Sequence, residues 1–288
     1  MVAPEAFKLT GRKALVTGGG TGLGYAMAQA LAAAGATVMI AGRRIGMLVD
    51  ATEQLRAAVP GATLLHEAVD LYDMDDVLRF AEVAVGRLEG VDIFVGNAGA
   101  VHAQGFGAMT PKEVDRTLQL NLSANIALSQ SFARHMMAQR WGRILFSSST
   151  AAHLAAPLQG NLAYAAAKSG INGFMRVIAA ELGRFGITVN SLILGVFWTS
   201  ILREAVTQLR DEESDDAAEA LIDGFVDMTA LGRLGEPEDL HGIVQLLASD
   251  AGRYITGASI PVDGGTSIMM RPWLGTPTTT IEQEGRTG

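Results

Sequence analysis

The chain contains no cysteine. That removes disulfide bridges and thiolate metal sites, and it fits a reducing compartment. Charged residues are sparse, at 18%, and acidic side chains outnumber basic ones to leave a net charge of −8. A protein that grips nucleic acid needs a basic face, so no nucleic-acid partner is expected. Histidine is scarce too, and His66, His102, His135, His153 and His241 show no metal-ligand spacing. No metal is expected. The first residues lack the apolar stretch of a signal peptide, since Pro4, Glu5 and Lys8 interrupt them. The longest apolar region, Met27 to Gly42, is divided by Gly35 into an alanine-rich half and a strand-like Thr37-Val38-Met39-Ile40 half. It predicts a helix and then a buried strand, with no membrane span. A cytoplasmic location is expected.

What remains is a chain of 288 residues, 49% hydrophobic, long enough to bury a substantial core. Strands are predicted at Ala14–Val16, Thr37–Ala41, Thr63–Leu65, Ile93–Val95, Arg143–Phe146, Thr188–Ile193 and Ser259–Val262. Helical patterns fall between them at Leu23–Ala34, Gly46–Val59, Asp73–Leu88, Pro111–Gln139, Ala163–Phe185 and Pro237–Ser249. Strict alternation predicts an α/β fold: a doubly wound parallel sheet with helices on both faces. No internal repeat or long linker divides the chain, so residues 1–288 read as one domain. Residues 195–231 form an insertion too long for a plain connection. Its acidic middle, Asp211 to Glu219, reads as a solvated helix face, and the whole insertion as a lid over a pocket. The tail beyond residue 268 is rich in Pro and Thr, and its Trp273 is a candidate for packing on a neighbouring subunit.

The first strand runs into Thr17-Gly18-Gly19-Gly20-Thr21-Gly22-Leu23-Gly24, where a helix opens. Glycines allow a sharp turn and a close backbone approach to a pyrophosphate, and the helix start offers free N–H groups. A bare flexible turn is the plainer alternative, but the strand–turn–helix setting favours a dinucleotide. The second strand ends at Gly42-Arg43-Arg44, where an NAD-binding chain is expected to place Asp or Glu. Arginine forks suit a 2′-phosphate, so NADP is expected over NAD, unless both merely solvate a helix start. Tyr164 and Lys168 stand four residues apart, on one helix face. An ammonium beside the phenol predicts a tyrosine pKa below the ordinary value and a role in general acid–base chemistry.

These motifs, in this order, make the chain resemble a short-chain dehydrogenase/reductase of the single-domain type. The likeness covers about residues 7 to 267: the glycine loop, Asn97-Ala98-Gly99, Tyr164-x-x-x-Lys168 and Val262-Asp263-Gly264-Gly265. It implies a Rossmann-type seven-stranded sheet in a homotetramer or homodimer, and hydride transfer between a nicotinamide and a carbonyl or secondary alcohol. By the same resemblance, Tyr164 exchanges the proton and Lys168 holds the nicotinamide ribose. Asn121 helps position a proton-relay water, and Ser149 hydrogen-bonds the substrate carbonyl, with Ser147 and Ser148 as rivals. Asp70 and Leu71 would contact the adenine, while Asn97, Ala98 and Gly99 line the other side. Gly195, Val196 and Thr199 would run beside the nicotinamide, where Leu194-Gly195 replaces the family's Pro-Gly and is expected to relax the turn.

Plainer structural roles are also open: Asn121 tying a helix kink, Asp70 capping the next helix, Asp263 bracing a terminal turn. Asp263 is read in that way. Candidate substrate contacts are His102, Ser149, His153, Leu154, Asn161, Phe197 and Trp198. The amino-terminal half resembles sugar-acid 5-dehydrogenases and 3-oxoacyl-thioester reductases about equally. A non-catalytic NADP-binding sensor is the alternative from another class, but it has no need of the Asn, Ser, Tyr and Lys set.

Overall fold

Strand β1 (Lys13–Thr17) is buried on both faces from Ala14 onward, because its alternating side chains enter two different cores. Ala14 and Val16 point into one apolar cluster, Leu15 into the other. The computed structural model describes residues 5–101, 105–154 and 162–269. Strands β2 (Thr37–Gly42), β3 (Leu64–Ala68), β4 (Ile93–Gly96), β5 (Gly142–Ser149), β6 (Ile187–Leu194) and β7 (Ser259–Val262) complete one sheet. Its order is β3-β2-β1-β4-β5-β6-β7, and every pairing is parallel. The order reverses between β1 and β4, which opens a crevice at the carboxyl ends of those strands.

On one face pack helices α1 (Gly22–Ala33) and α2 (Ile45–Ala58), through Met27, Leu31, Leu48 and Leu55. On the other lies α3 (Met74–Leu88), started by the Asp73 carboxylate accepting from the N–H of Asp75. The helix expected over Pro111–Gln139 is interrupted. It comprises α4 (Pro111–Leu118), a π-helical turn over Gln119–Ser123, and α5 (Ala124–Gln139). Side-chain amides run down the interruption: Asn121 Nδ2 donates to Thr117 O, and Asn125 Nδ2 to Asn121 O. Such bonds compete with the regular ladder.

Helix α6 (Leu162–Leu182) covers β5 and β6 with Ile171 and Met175. The insertion folds into α7 (Ser200–Glu212) and α8 (Asp215–Asp227), capped by Thr199 and Ser214. Its two ends meet where Phe197 bridges Gly235, with Trp198 N donating to Gly235 O and Gly235 N to Val196 O. Last comes α9 (His241–Ala248), packed by Val244 and Leu247 on the face that carries α1. Among the described residues no helix is long and apolar enough to cross a membrane.

Candidate active site

The glycine loop turns through Gly18, whose φ of +66° is open to glycine at little cost. Gly24 lets α1 press against that turn: a Cβ there would lie 2.1 Å from Gly18 O. The strand ends are tied beneath it. Asn97 Nδ2 donates to Thr17 O at 3.1 Å, and Ser147 Oγ donates to Asn97 Oδ1 at 2.9 Å, joining β1, β4 and β5.

Above this tie runs a cleft of about 640 Å³. One end is walled by Arg43 and Arg44, the floor by Gly18, Gly20, Thr21, Gly22, Leu23 and Gly24, and the next stretch by Asp70 and Leu71. Beyond Asn97, Ala98 and Gly99 it reaches Ser149, Tyr164, Lys168, Gly195 and Thr199. The glycine cradle and the Tyr–Lys pair thus share one continuous trough. Its backbone-lined floor and cationic end suit an elongated anion such as a dinucleotide. Among the described residues, neither Arg43 nor Arg44 pairs with a carboxylate. Tyr72, Leu120 and Ser200 also line the trough, a role no sequence motif announced.

Three serines end β5, and their partners differ. Ser147 is committed to Asn97, and Ser148 Oγ donates to Lys168 O at 3.4 Å. Ser149 accepts from the N–H of Ala151 and hydrogen-bonds the Tyr164 hydroxyl. Only Ser149 is turned toward the phenol.

Tyr164 departs from expectation. Burial pushes its pKa up from 10.0, and the Ser149 hydrogen bond offsets this only in part. Lys168, predicted to lower it, is itself buried, and desolvation brings it down from 10.5 to about 8. Its Nζ donates to Ser147 O at 2.7 Å and lies 5.3 Å from the centre of the Tyr164 ring. The two side chains share a face as the spacing required, but the ammonium is aimed at a carbonyl.

Asn121 lies behind the cleft, wholly buried, with Nδ2 donating to Ala100 O and Thr117 O. Among the described residues its Oδ1 has no hydrogen-bond partner. That oxygen and the Lys168 ammonium crowd Gly99: a Cβ there would lie 2.6 Å from one and 3.3 Å from the other. Asn121 therefore ties the helix irregularity and also presents an acceptor beside Lys168.

The remaining candidates divide between the cleft and other places. Asp70 accepts from the N–H of Tyr72, while Asp73 caps the next helix in its stead. Asp263 braces its turn as expected, accepting from the N–H groups of Gly265 and Ser267. Leu194 is the last residue of β6, paired with Ser149 and Val262, and the turn begins after it. Val196 faces a second cavity of about 520 Å³ behind the strand ends. Phe197, expected as a substrate wall, is buried in the core, its ring filling the space over Gly235. Trp198 stacks under the Arg203 guanidinium at 5.1 Å, away from the cleft lining. His153 Nε2 meets Asn172 Nδ2 at 3.4 Å, and His153 and Leu154 are exposed beside β5. His102, Asn161 and Trp273 lie outside the described residues. Among those described, no cluster of His, Asp or Glu could hold a metal.

A sequence model of short chain dehydrogenases matches residues 12–210. The L-rhamnose 1-dehydrogenase (NADP(+)) of Thermoplasma acidophilum is 34% identical over 91% of this chain and 98% of its own. The 2-dehydro-3-deoxy-D-gluconate 5-dehydrogenase of Escherichia coli is 34% identical over 91% and 97%. Among solved structures, a 3-oxoacyl (acyl-carrier-protein) reductase of Agrobacterium tumefaciens with NADP bound is 30% identical. It superposes with a TM-score of 0.82 over 92% of this chain and 97% of that one.

Proposed function

The chain belongs to the short-chain dehydrogenase family, and from that premise we propose that it is an NADP-dependent oxidoreductase with Tyr164 as its acid–base group. The observation that carries the reading is the shared trough, which joins Arg43 and Arg44 to Ser149, Tyr164 and Lys168 through the glycine loop. The nicotinamide supplies or accepts a hydride at a carbonyl or carbinol carbon. Every other task falls to side chains. A phenol held protonated by burial is a ready donor to the oxygen of a ketone as negative charge develops there. Ser149, already bonded to that phenol, offers a second hydrogen bond to the same oxygen. Lys168 holds the ribose side of the trough, and a water between its ammonium and Asn121 Oδ1 returns the proton from solvent.

For the dinucleotide, Gly18 to Gly24 hold the pyrophosphate, Arg43 and Arg44 the 2′-phosphate, Asp70 and Leu71 the adenine. Asn97 to Gly99, Gly195 and Thr199 flank the remaining length, whereas Val196 faces the second cavity. Relatives named for sugar acids, a deoxysugar and a 3-oxoacyl thioester support a polar ketone or its alcohol as substrate. A homotetramer or homodimer in the cytoplasm completes the proposal. The test is NADPH oxidation against a panel of ketones, keto-acids and oxoacyl thioesters, with Tyr164→Phe alongside. Turnover by the parent and none by the variant is the expected result. Tight NADPH binding with no turnover on any member would favour a sensor instead.

A further inference from the structure

Outside the motifs, a third guanidinium packs on Tyr72, a residue of the trough lining, without itself forming part of that lining. Arg116 Cζ lies 4.4 Å from the centre of the Tyr72 ring, and Arg43 Cζ lies 5.4 Å from the same centre. Tyr72 itself lines the trough next to Leu71. These distances put the two charges at most about 10 Å apart, within a Debye length at moderate salt. They repel each other, and the attraction of each for one phenol face, roughly 0.5 to 1 kcal/mol at an exposed site, offsets that only partly.

Arg116 is held there by its helix. Pro111 and the reciprocal Thr110–Glu113 capping box set the start of α4, and Arg116 falls in its last turn. Several exposed arginines of this acidic molecule face carboxylates, Arg87, Arg210 and Arg233 among them, while others such as Arg134 and Arg176 face none among the described residues. Arg43, Arg44 and Arg116 do not, among the described residues. An unneutralised cationic group beside a trough calls for an anion of more than one charge, and a phosphate monoester carries about two.

We infer that Arg116 is a specificity-determining residue for the 2′-phosphate, acting with Arg43 across the ring of Tyr72. This rests on the NADP reading and adds to it a residue 73 positions beyond Arg43, on a different element of the fold. Both forks reach the ring of Tyr72, so a phosphate seated at the edge of that ring meets both and relieves their repulsion.

Calorimetric titration with 2′,5′-ADP and with ADP, which lacks the 2′-phosphate, tests this without any turnover. Arg116→Ala should weaken 2′,5′-ADP roughly fivefold and ADP by less than about twofold, with Arg116→Lys in between. Arg116 is exposed, so the substitution leaves the core untouched. Equal weakening of both nucleotides, or of neither, overturns the inference. If Arg43→Ala alone discriminates between them, NADP stands and Arg116 falls. If the parent binds the two nucleotides equally well, the NADP reading falls and takes this inference with it.

Discussion

Lys168 donates its buried ammonium to the carbonyl oxygen of Ser147 at 2.7 Å, across the end of β5. One bond to a neutral partner does not replace the water that a charge loses on burial. Hence the lysine gives up its proton early, at about 8.

The stability of the protein should therefore depend on alkaline pH. Between about 8 and 10.5 the unfolded chain keeps this proton and the folded one releases it, so stability rises with pH across that window. Below it the full burden, about 3 kcal/mol, is present. Lys168→Met removes it. Urea unfolding of parent and variant should show their difference shrinking by about 2 kcal/mol from about pH 7 to about pH 10. Parallel profiles would rule out burial as the cause.

Tyr164 moves the other way, so alcohol oxidation, which needs the phenolate, should be favoured by base. The kcat/KM for oxidation should climb about tenfold per pH unit and should not level off at the ordinary phenol value, because burial raises the Tyr164 pKa above it. Reduction, which needs the phenol, should show no loss from this group at neutral pH. A plateau in the oxidative profile near neutrality would mean that the ammonium governs the tyrosine after all.

The serines should separate cleanly. Ser149→Ala should lower kcat by about two orders of magnitude while leaving the melting temperature near that of the parent. Ser147→Ala should do the reverse, since it strips Asn97 Oδ1 of its buried donor at a cost of about 1 to 3 kcal/mol. Steady-state rates and thermal melts on the two variants decide it. If Ser147→Ala lost the rate and kept the stability, the carbonyl contact would belong to Ser147.

Two glycine substitutions should have opposite signs. Gly24→Ala drives a methyl into the Gly18 carbonyl and should cost more than about 2 kcal/mol, with weaker NADPH binding. Gly46→Ala, on α2, meets nothing within 4 Å and should stabilise by about 0.5 to 1 kcal/mol. Denaturant midpoints with and without NADPH report both effects.

Much of this was legible beforehand. Apolar runs bounded by turn residues located every strand, and Ser259–Val262 has the observed bounds of β7. The glycine loop and the Tyr164–Lys168 pair declared themselves because each is local: a few residues of fixed spacing on one element. At Gln119–Ser123 the sequence offered Asn121 as the tie of a helix kink, but not the π-helical turn itself, because no Pro or Gly marks it and its cause is a chain of amide bonds to the preceding turn. Phe197 takes a place the sequence could not assign, packed against the core and lining the second cavity, because an aromatic side chain reads the same in a core and in a pocket wall. Arg116 escaped notice because only the fold brings it to Tyr72. The direction of the Tyr164 shift depends on where an ammonium points, and spacing alone does not encode that.

The bridge between Phe197 and Gly235 closes the base of the α7–α8 excursion with backbone bonds alone. Both ends of the helical pair are thus anchored side by side, beyond β6, whatever lies between them. Loop closure of this kind tolerates changes in length at small entropic expense. The pair is consequently an exchangeable cassette. A chimera built in the laboratory can trade the part beyond Ser200, which itself lines the trough, and leave the bridge and the sheet in place. Variation in the length of this excursion is thus uncoupled from the sheet at a single joint in the chain.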